Sequence, residues 1–491
     1  MTCVLALDQG TTGSTALVIS QGGQVLGRGY REFTQFFPQP GWVEHDPEEI
    51  WQVTLAAARE ALSSVREVPQ ALGITNQRET IVTWERGTGR PLHRAIVWQD
   101  RRTANRCREL ESRFGAEYLR SRTGLVWDPY FSATKIEWLL NEVPGLRRSA
   151  EAGDAVFGTI DSWLAYRLTD GRAFVTDHTN ASRTMLYNID TRDWDADLLG
   201  LFGVPRACLA EIRASSEVVG VAGRAHLGVE IPIGGLAGDQ QAALFGQGCW
   251  EPGLAKCTYG TGAFLLLNLG ARREPGRASR VLTTVACDGD GKPVYALEGS
   301  IFIAGAAVQW LRDGLGILDN AAESATMAAS LPDNGGVYFV PAFVGLGAPY
   351  WEPRARGTIV GLTRGTERAH LARAALESMA YSTKDVLSEM EDVSRVRVGA
   401  LKIDGGAAAN DWLAQFQADL LGAPVARPSL VETTALGAAG LAGLATGVWN
   451  SAREFGRSLE YRQFLPGISR EEEYAGWRRA VDATLHWTRG A

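Results

Sequence analysis

The segment of this sequence best suited to chemistry is a Gly/Thr loop near the amino terminus. The apolar residues 4–7 lead to Asp8, and residues 10–13 (Gly-Thr-Thr-Gly) follow before a second apolar stretch at 16–19. Glycine leaves backbone N–H groups unobstructed and threonine adds hydroxyls, and both kinds of group bind phosphate oxygens. A carboxylate beside such a loop suits a hydrated Mg²⁺ ion. The sequence therefore predicts a phosphate site here, with Asp8 beside the metal.

Two more segments of this kind occur later in the chain. Residues 260–262 (Gly-Thr-Gly) separate the predicted strand 255–259 from the apolar stretch 263–267, and Asp404 is followed by two glycines before a predicted helix. One such loop is usually only a turn, but three in one chain favour a nucleotide site. Neither G-x-x-x-x-G-K-[ST] nor G-x-G-x-x-G occurs, which excludes a P-loop and the simplest dinucleotide-binding motif.

Strands and one well-marked helix must position the first loop. The helix is predicted to begin after Asp46, which suits an N-cap, with Pro47 at its first position and Glu49 completing a capping box. The predicted strands of the first half are 4–7, 16–19, 25–30, 71–75 and 81–84, with a polar break at 76–79. This alternation predicts a mixed α/β domain.

The second half repeats the strand, Gly/Thr loop and strand of the first. A strand at 401–404 then precedes a helix that ends near Gly422, and an amphipathic helix covers about 474–485. The recurrence predicts two related domains, 1–247 and 248–491, within the 491 residues.

Composition narrows the class of protein. The formal net charge of −7 argues against a nucleic-acid partner. No apolar run approaches the length of a membrane span, and no secretion signal opens the chain. The six cysteines form no C-x-x-C pair, as expected of thiols in a reducing compartment. We therefore expect a soluble cytoplasmic enzyme without a membrane span.

Longer strings carry a family resemblance that runs from about residue 3 to about 450. They are 7–12 (LDQGTT), 40–47 (PGWVEHDP), 73–80 (GITNQRET), 237–244 (AGDQQAAL) and 345–351 (GLGAPYW). Residues 130–138 (YFSATKIEW) and 361–378 look like two family signatures. Together they resemble the FGGY carbohydrate kinases, and within that family the members that phosphorylate glycerol.

The resemblance implies an α/β fold of two actin-like (ribonuclease-H-like) domains with an ATP and substrate cleft between them. Domain 1–247 would bind the polyol and carry the first phosphate loop, and domain 248–491 would bind the nucleotide. The implied activity is phosphorylation of glycerol to sn-glycerol 3-phosphate, with ATP and Mg²⁺ as cofactors. A homo-oligomer, dimer or tetramer, is also implied.

The resemblance also assigns roles to individual residues. Arg78, Glu79 and Tyr130 would bind the substrate hydroxyls, and Trp98 and Phe264 would form an apolar wall. Asp239, with Gln240 beside it, would accept the proton of the attacking hydroxyl; an aspartate here also suits a helix N-cap. Asp8 would organise Mg²⁺. The nucleotide and its phosphates would contact Thr11, Thr12, Gly13, Thr15, Thr261, Gly305, Gln309, Gly406 and Asn410.

Two departures from the family pattern stand out. The family usually reads Asp-Gln-Gly-Thr-Thr-Ser-Ser-Arg, whereas this chain has Gly13 and Thr15 in place of the first serine and the arginine. Loss of a charge-assisted phosphate contact predicts weaker nucleotide binding or slower transfer. Residues 228–230 (Gly-Val-Glu) replace the Gly-Thr-Arg loop of members inhibited by fructose 1,6-bisphosphate. Glutamate repels a bisphosphate, so we expect no dose-dependent inhibition by that sugar.

Other readings of the sequence remain open. Within the enzymes, the acceptor is alternatively another polyol or a ketopentose. From another class, an actin-like filament subunit needs no constellation of Arg78, Glu79, Tyr130 and Asp239. A sugar-responsive repressor needs a helix-turn-helix, and the first strand is predicted to begin at residue 3 or 4.

Overall fold

The computed structural model describes residues 2–273 and 280–489. By their internal contacts the residues form two compact units. The first comprises Met1–Trp250, Thr283–Tyr295 and Glu432–Leu459, and the second comprises Glu251–Leu282, Ala296–Val431 and Glu460–Ala491. The domain bounds 1–247 and 248–491 stay a prediction, and the sequence pattern did not anticipate that 283–295 and 432–459 would group with the amino-terminal segment.

The amino-terminal segment contains the first large sheet. The strands of this whole segment are β1 (Cys3–Gln9), β2 (Gly13–Ser20), β3 (Val25–Glu32), β4 (Glu44–His45), β5 (Leu72–Asn76), β6 (Val82–Glu85), β7 (Ala95–Ile96), β8 (Ala155–Gly158), β9 (Val175–Asp177), β10 (Tyr187–Asn188), β11 (Asp193–Trp194), β12 (Glu211–Arg213), β13 (Ser216–Ala222) and β14 (Ile231–Gly238). The sheet order is β13-β14-β5-β1-β2-β3. β1 pairs antiparallel with β2 and parallel with β5.

The helices of this segment flank the sheet and its insertions. They are α1 (Pro47–Ser63), α2 (Ala104–Phe114), α3 (Ala116–Thr123), α4 (Ala133–Glu142), α5 (Leu146–Ala152), α6 (Ile160–Leu168), α7 (His178–Ala181), α8 (Ala196–Phe202), α9 (Arg224–Leu227) and α10 (Asp239–Gly246), with a 3-10 turn at Arg206–Cys208. Apolar side chains of β1, β2, β5 and α1 form one buried core.

The second large sheet has the order β17-β18-β16-β15-β21-β22-β23. The strands of the sheet are β15 (Leu254–Tyr259), β16 (Ala263–Gly270), β17 (Leu282–Cys287), β18 (Pro293–Ile301), β21 (Ala400–Asp404), β22 (Val425–Pro428) and β23 (Tyr461–Phe464). Between them in the chain, β19 (Tyr338–Val340) and β20 (Thr358–Val360) form a separate two-stranded sheet. The remaining helices are α11 (Gly305–Asp313), α12 (Glu323–Ala329), α13 (Arg368–Ser394), α14 (Asp411–Leu421), α15 (Thr433–Ala445), α16 (Ala452–Gly456) and α17 (Glu471–Arg489), with a 3-10 turn at Gly406–Ala409.

The two sheets share one pairing pattern. β15 pairs antiparallel with β16 and parallel with β21, as β1 does with β2 and β5. In both sheets the next strand is again parallel and the one after it antiparallel. The repeat predicted from the recurring Gly/Thr loops is therefore present as a repeat of strand order.

The start of α1 follows the sequence with one correction. Asp46 is the N-cap, and its carboxylate accepts hydrogen bonds from the N–H groups of Glu48 and Glu49, while Pro47 opens the helix. The predicted capping box is wrong. The Glu49 carboxylate instead accepts from the backbone N–H and hydroxyl of Thr34, at 3.0 and 2.9 Å.

Helix α15 shows why the late segment 432–459 lies with the first unit. The helix is rich in alanine and glycine and packs on β5, β14 and α10. A Cβ at Gly73 would overlap the carbonyl of Ala438, and one at Gly437 would overlap the carbonyl of Ala242. Only glycine permits backbones to approach this closely.

The helices of the described residues offer no membrane crossing, since none is both long and apolar enough.

Candidate active site

The first Gly/Thr loop is a tight turn between β1 and β2. The N–H of Gly10 donates to the carbonyl of Gly13 at 2.9 Å, which closes the turn. Thr12 is exposed and Thr11 half-buried. The turn thus presents small side chains and backbone groups, the surface that phosphate oxygens require.

Asp8 is the second-last residue of β1, beside this turn. Burial, and then the charge of nearby Asp239, raise the pKa of Asp8 to about 7. Two carboxylates that repel each other in this way form a place where a cation is stabilised, so the donor set fits hydrated Mg²⁺. Among the described residues no three His, Cys, Asp or Glu side chains gather to hold a metal ion. The ion would therefore depend on phosphate oxygens and water for most of its ligands.

Gly13 and Thr15, the two residues that depart from the family pattern in this turn, both lie next to Tyr30. Thr15 on β2 lies opposite Asp8 on β1 and opposite Tyr30 on β3, so the three side chains share one face of the sheet. A Cβ at Gly13 would lie 2.8 Å from the Tyr30 ring and 2.8 Å from the carbonyl of Arg31. The Tyr30 hydroxyl lies 3.3 Å from the Glu32 carboxylate. Tyr30 therefore occupies the space that a larger residue at position 13 would need.

Arg78, Glu79 and Asp239 gather at the ends of β5 and β14. Arg78 Nε lies 3.2 Å from Asp239 Oδ1 and 3.9 Å from Glu79 Oε1. The Arg78 and Glu79 side chains are 2% and 1% exposed, and that of Asp239 is 32% exposed. Asp239 is therefore the more accessible of the two carboxylates in this cluster.

Asp239 is the first residue of α10, and Gly238 is the N-cap. Its Oδ1 accepts from the N–H of Gln240, at 2.7 Å. The N-cap interpretation of Asp239 is therefore wrong by one position. The carboxylate remains at the amino terminus of the helix.

Sequence reasoning missed Arg183, which fixes Glu79. The Arg183 side chain is fully buried, and its Nε donates to Glu79 Oε1 at 2.7 Å. Glu79 has a positive φ of 62°, unusual for a residue with a side chain, and Ser132 donates to its carbonyl at 2.8 Å. Arg183 lies in a polar run at 176–184 that lacks glycine and proline, which is the one available sequence signal.

Tyr130 and Trp98 lie together as an aromatic pair. Their rings meet edge to face with centroids 5.4 Å apart. Buried Lys135, also missed from the sequence, donates to the Tyr130 carbonyl at 2.8 Å. Burial lowers the pKa of Lys135 to about 8, although nearby carboxylates such as Asp100 oppose this. Phe264, the other predicted wall residue, is half-buried on β16 in the second unit, and its place in the wall stays a prediction.

The second unit contains a cavity of about 1220 Å³. All five nucleotide residues predicted in this unit line it, namely Thr261, Gly305, Gln309, Gly406 and Asn410. They arrive from separate elements: a turn, α11, and the segment between β21 and α14. The structure thus brings together residues that are up to about 150 positions apart in the chain, a separation typical of binding sites on α/β scaffolds.

Local hydrogen bonds explain the shape of this cavity. The N–H groups of Ala304 and Ala306 donate to the carbonyl of Thr261, at 2.8 and 3.1 Å, so α11 begins directly on the Gly/Thr turn. Gly405 has a φ of +83°, and a Cβ there would overlap the backbone of Tyr259. Asn410 caps α14 by accepting from the N–H of Leu413 at 3.0 Å.

Comparison with known proteins identifies the class. Residues 3–246 match the N-terminal domain of the FGGY family of carbohydrate kinases, and residues 255–446 match its C-terminal domain. The chain belongs to this family, which confirms the resemblance seen in the sequence strings.

Relatives within the family are similar over their full length. The chain is 54% identical to glycerol kinase 2 of Thermotoga maritima, covering 99% of each chain. It is 56% identical to the glycerol kinase of Alkalilimnicola ehrlichii, covering 100% of this chain and 99% of the relative.

Solved structures agree on the fold. The ADP complex of Plasmodium falciparum glycerol kinase matches with a TM-score of 0.94 and 34% identity, covering 99% of this chain and 98% of the other. Xylulose kinase from Rhodospirillum rubrum has a TM-score of 0.87 at 24% identity over 99% of both chains, which supports the fold alone. The predicted two-domain α/β fold of the actin-like kinases is confirmed.

Proposed function

We propose that this chain transfers the terminal phosphoryl group of ATP to a primary hydroxyl of glycerol, giving sn-glycerol 3-phosphate and ADP. The observation that carries the proposal is the cluster of Arg78, Glu79 and Asp239, in which buried Arg78 lies beside one buried and one accessible carboxylate. Full-length relatives at 54–56% identity that are named glycerol kinases support the choice of glycerol over another polyol or a ketopentose.

Recognition of glycerol follows from the chemistry of this cluster. A guanidinium donates and a carboxylate accepts, so Arg78 and Glu79 together suit neighbouring hydroxyls. The Tyr130–Trp98 pair supplies an apolar surface for the carbon chain, with Phe264 as a further wall residue. Gln240, half-buried beside Asp239, adds an amide that both donates and accepts.

The transfer step is an in-line displacement. The hydroxyl oxygen of glycerol bonds to the terminal phosphorus, the bond from that phosphorus to the bridging oxygen breaks, and ADP leaves. The hydroxyl proton passes to the carboxylate of Asp239. Because the transition state is loose, orientation of the hydroxyl contributes more than proton removal.

The phosphates bind to the two Gly/Thr turns. In the first unit Thr11, Thr12, Gly13 and Thr15 are the phosphate residues. In the second unit Thr261, which lines the cavity there, has this role. The nucleoside fits the 1220 Å³ cavity beside Gly305, Gln309, Gly406 and Asn410. Asp8 would hold hydrated Mg²⁺ beside the first turn, and the ion would neutralise phosphate charge. We further propose a cytoplasmic homo-oligomer.

An acceptor panel tests the function. ADP release is measured with Mg-ATP and glycerol, erythritol, xylulose, ribulose or gluconate in turn. We expect kcat/KM for glycerol to exceed that of each other acceptor by about 100-fold or more, because mismatched hydroxyls leave buried charges unpaired. Faster turnover of a ketopentose would show that a ketopentose, and not glycerol, is the substrate. ADP release that needs no acceptor would contradict phosphoryl transfer to a polyol.

A further inference from the structure

A buried polar cluster lies behind the first phosphate turn. We define this loop-support cluster as Gln9, Gln35, His45 and Gln77. Gln9, His45 and Gln77 are at most 1% exposed, and Gln35 is half-buried. None of the four is among the substrate or nucleotide residues proposed above.

The cluster holds two consecutive carbonyl groups of the turn. The Gly10 carbonyl accepts from Gln9 Nε2 at 2.7 Å and from Gln77 Nε2 at 3.1 Å. The Thr11 carbonyl accepts from Gln35 Nε2 at 3.0 Å. Side-chain amides thus satisfy two acceptors that a tight turn leaves outside any ladder.

The planarity of the peptide bond fixes the direction of the N–H groups in the turn. In a planar trans peptide the carbonyl of one residue and the N–H of the next point in opposite directions. With the carbonyls of Gly10 and Thr11 directed at the cluster, the N–H groups of Thr11 and Thr12 point away from it. Neither N–H donates to the protein backbone within the described residues.

His45 keeps the glutamines in the required orientation. Its Nε2 lies 2.7 Å from Gln35 Oε1 and its Nδ1 lies 3.5 Å from Gln77 Nε2. Since Gln35 already donates to Thr11, its oxygen accepts, which makes Nε2 the protonated nitrogen and Nδ1 an acceptor. Burial lowers the pKa of His45 to about 4, so this neutral form persists at physiological pH.

The cluster also reaches the aromatic pair. Thr80 donates to Gln77 Oε1 at 2.8 Å and accepts from the N–H of Trp98 at 3.2 Å. The indole of Trp98 in turn donates to the Thr11 hydroxyl at 3.0 Å. One hydrogen-bond network therefore holds the backbone of the turn, the Thr11 side chain and the neighbouring Trp98.

We infer that Gln9, Gln35, His45 and Gln77 are positioning residues that aim the Thr11 and Thr12 N–H groups at nucleotide phosphate. The inference rests on the proposed function, because it assumes that the turn binds phosphate. It adds residues whose effect falls on nucleotide affinity and not on recognition of the acceptor.

Gln35→Met tests the inference, since methionine retains length and volume without the amide. The matched control is Gln21→Met, which removes a similar bond from Gln21 Nε2 to the Val448 carbonyl at 2.7 Å, away from the turn. Calorimetry measures binding of Mg²⁺ with a non-hydrolysable ATP analogue, and separately of glycerol. Thermal unfolding of both variants reports on folding.

We expect Gln35→Met to weaken analogue binding by about tenfold, the equivalent of one net hydrogen bond, with glycerol binding changed less than about threefold. Gln21→Met should leave both unchanged. Equal analogue affinity in the two variants would overturn the inference, as would equal losses for analogue and glycerol. If the parent protein binds no analogue, the proposed function fails first.

A second variant tests the same inference if Gln35→Met does not fold. His45→Asn shortens the bridge between the two glutamines without adding charge. It should weaken analogue binding in the same direction and spare glycerol binding. An unchanged analogue affinity in a folded His45→Asn protein would contradict the role of the cluster.

Discussion

Arg78 Nε lies 3.2 Å from Oδ1 of Asp239, which joins the buried end of β5 to the first residue of α10. The guanidinium keeps the carboxylate in one orientation while leaving it 32% exposed. A base that is both oriented and accessible suits removal of a hydroxyl proton.

Asp239→Asn should abolish glycerol phosphorylation and leave ATP binding nearly intact. The amide has nearly the shape of the carboxylate but cannot accept the proton, and loss of a general base costs about 100-fold or more in rate. The measurement is kcat from ADP release together with ATP affinity by calorimetry. Activity within about tenfold of the parent would refute the assignment, and Asp197→Asn, at an exposed site, is the control.

Arg183→Met should cost both stability and acceptor affinity. It removes the 2.7 Å partner of the Glu79 carboxylate, which is 1% exposed. Removal of the closer partner of a buried charge destabilises a protein by about 3 kcal/mol, and misplacement of Glu79 should raise KM for glycerol by about tenfold. Urea unfolding and steady-state kinetics measure the two effects.

The double variant Arg183→Met with Glu79→Gln separates stability from recognition. Removing the buried charge of Glu79 should recover part of the lost stability without restoring KM. Exposed Arg90→Met serves as the control. Recovery of both quantities together would show that Glu79 has no role in binding glycerol.

Gly13→Ala should reduce kcat/KM for ATP by about tenfold, because misplacement in an active site is costly. The added Cβ would lie 2.8 Å from the Tyr30 ring and from the Arg31 carbonyl. Tyr30→Ala in the same chain should restore part of the activity, since it relieves one of the two contacts. Gly87→Ala, where a Cβ would meet nothing within 4 Å, is the matched control. Full activity of the single variant would show that the turn tolerates the shift.

The contribution of His45 to stability should be lost as pH drops from about 6.5 toward 4. Burial lowers the pKa of His45 to about 4 from 6.5, so the unfolded chain binds this proton first. The stabilisation is fully present above about 6.5 and lost below the folded pKa, a difference on the order of 3 kcal/mol. Urea midpoints across this range provide the measurement.

His45→Gln isolates that contribution. Relative to the parent midpoint, its midpoint should rise as the pH falls over the same interval. His486→Gln, at an exposed position, should follow the parent. Parallel pH curves for the parent and His45→Gln would show that His45 does not stay neutral in the folded protein.

Short-range features were predictable from the sequence because adjacent residues encode them. The hairpin of β1 and β2, the Asp46 cap of α1 and the turn at 260–262 each depend on neighbouring residues. The family strings extended this to roles, and the five predicted nucleotide residues of the second unit do line one cavity. Local propensity and turn chemistry suffice for such features.

The tertiary structure alone decided which distant side chains meet. Arg183 contacts Glu79 across 104 positions, and the small residues of α15 pack on β5 more than 350 positions away. Neither contact leaves a periodic signal, because each depends on how closely two backbones approach. The sequence by itself determined the family and the phosphate turns. The fold determined what orients them, since the burial that fixes Glu79 and the Gln9, Gln35, His45 and Gln77 cluster exists only after the chain has closed around them.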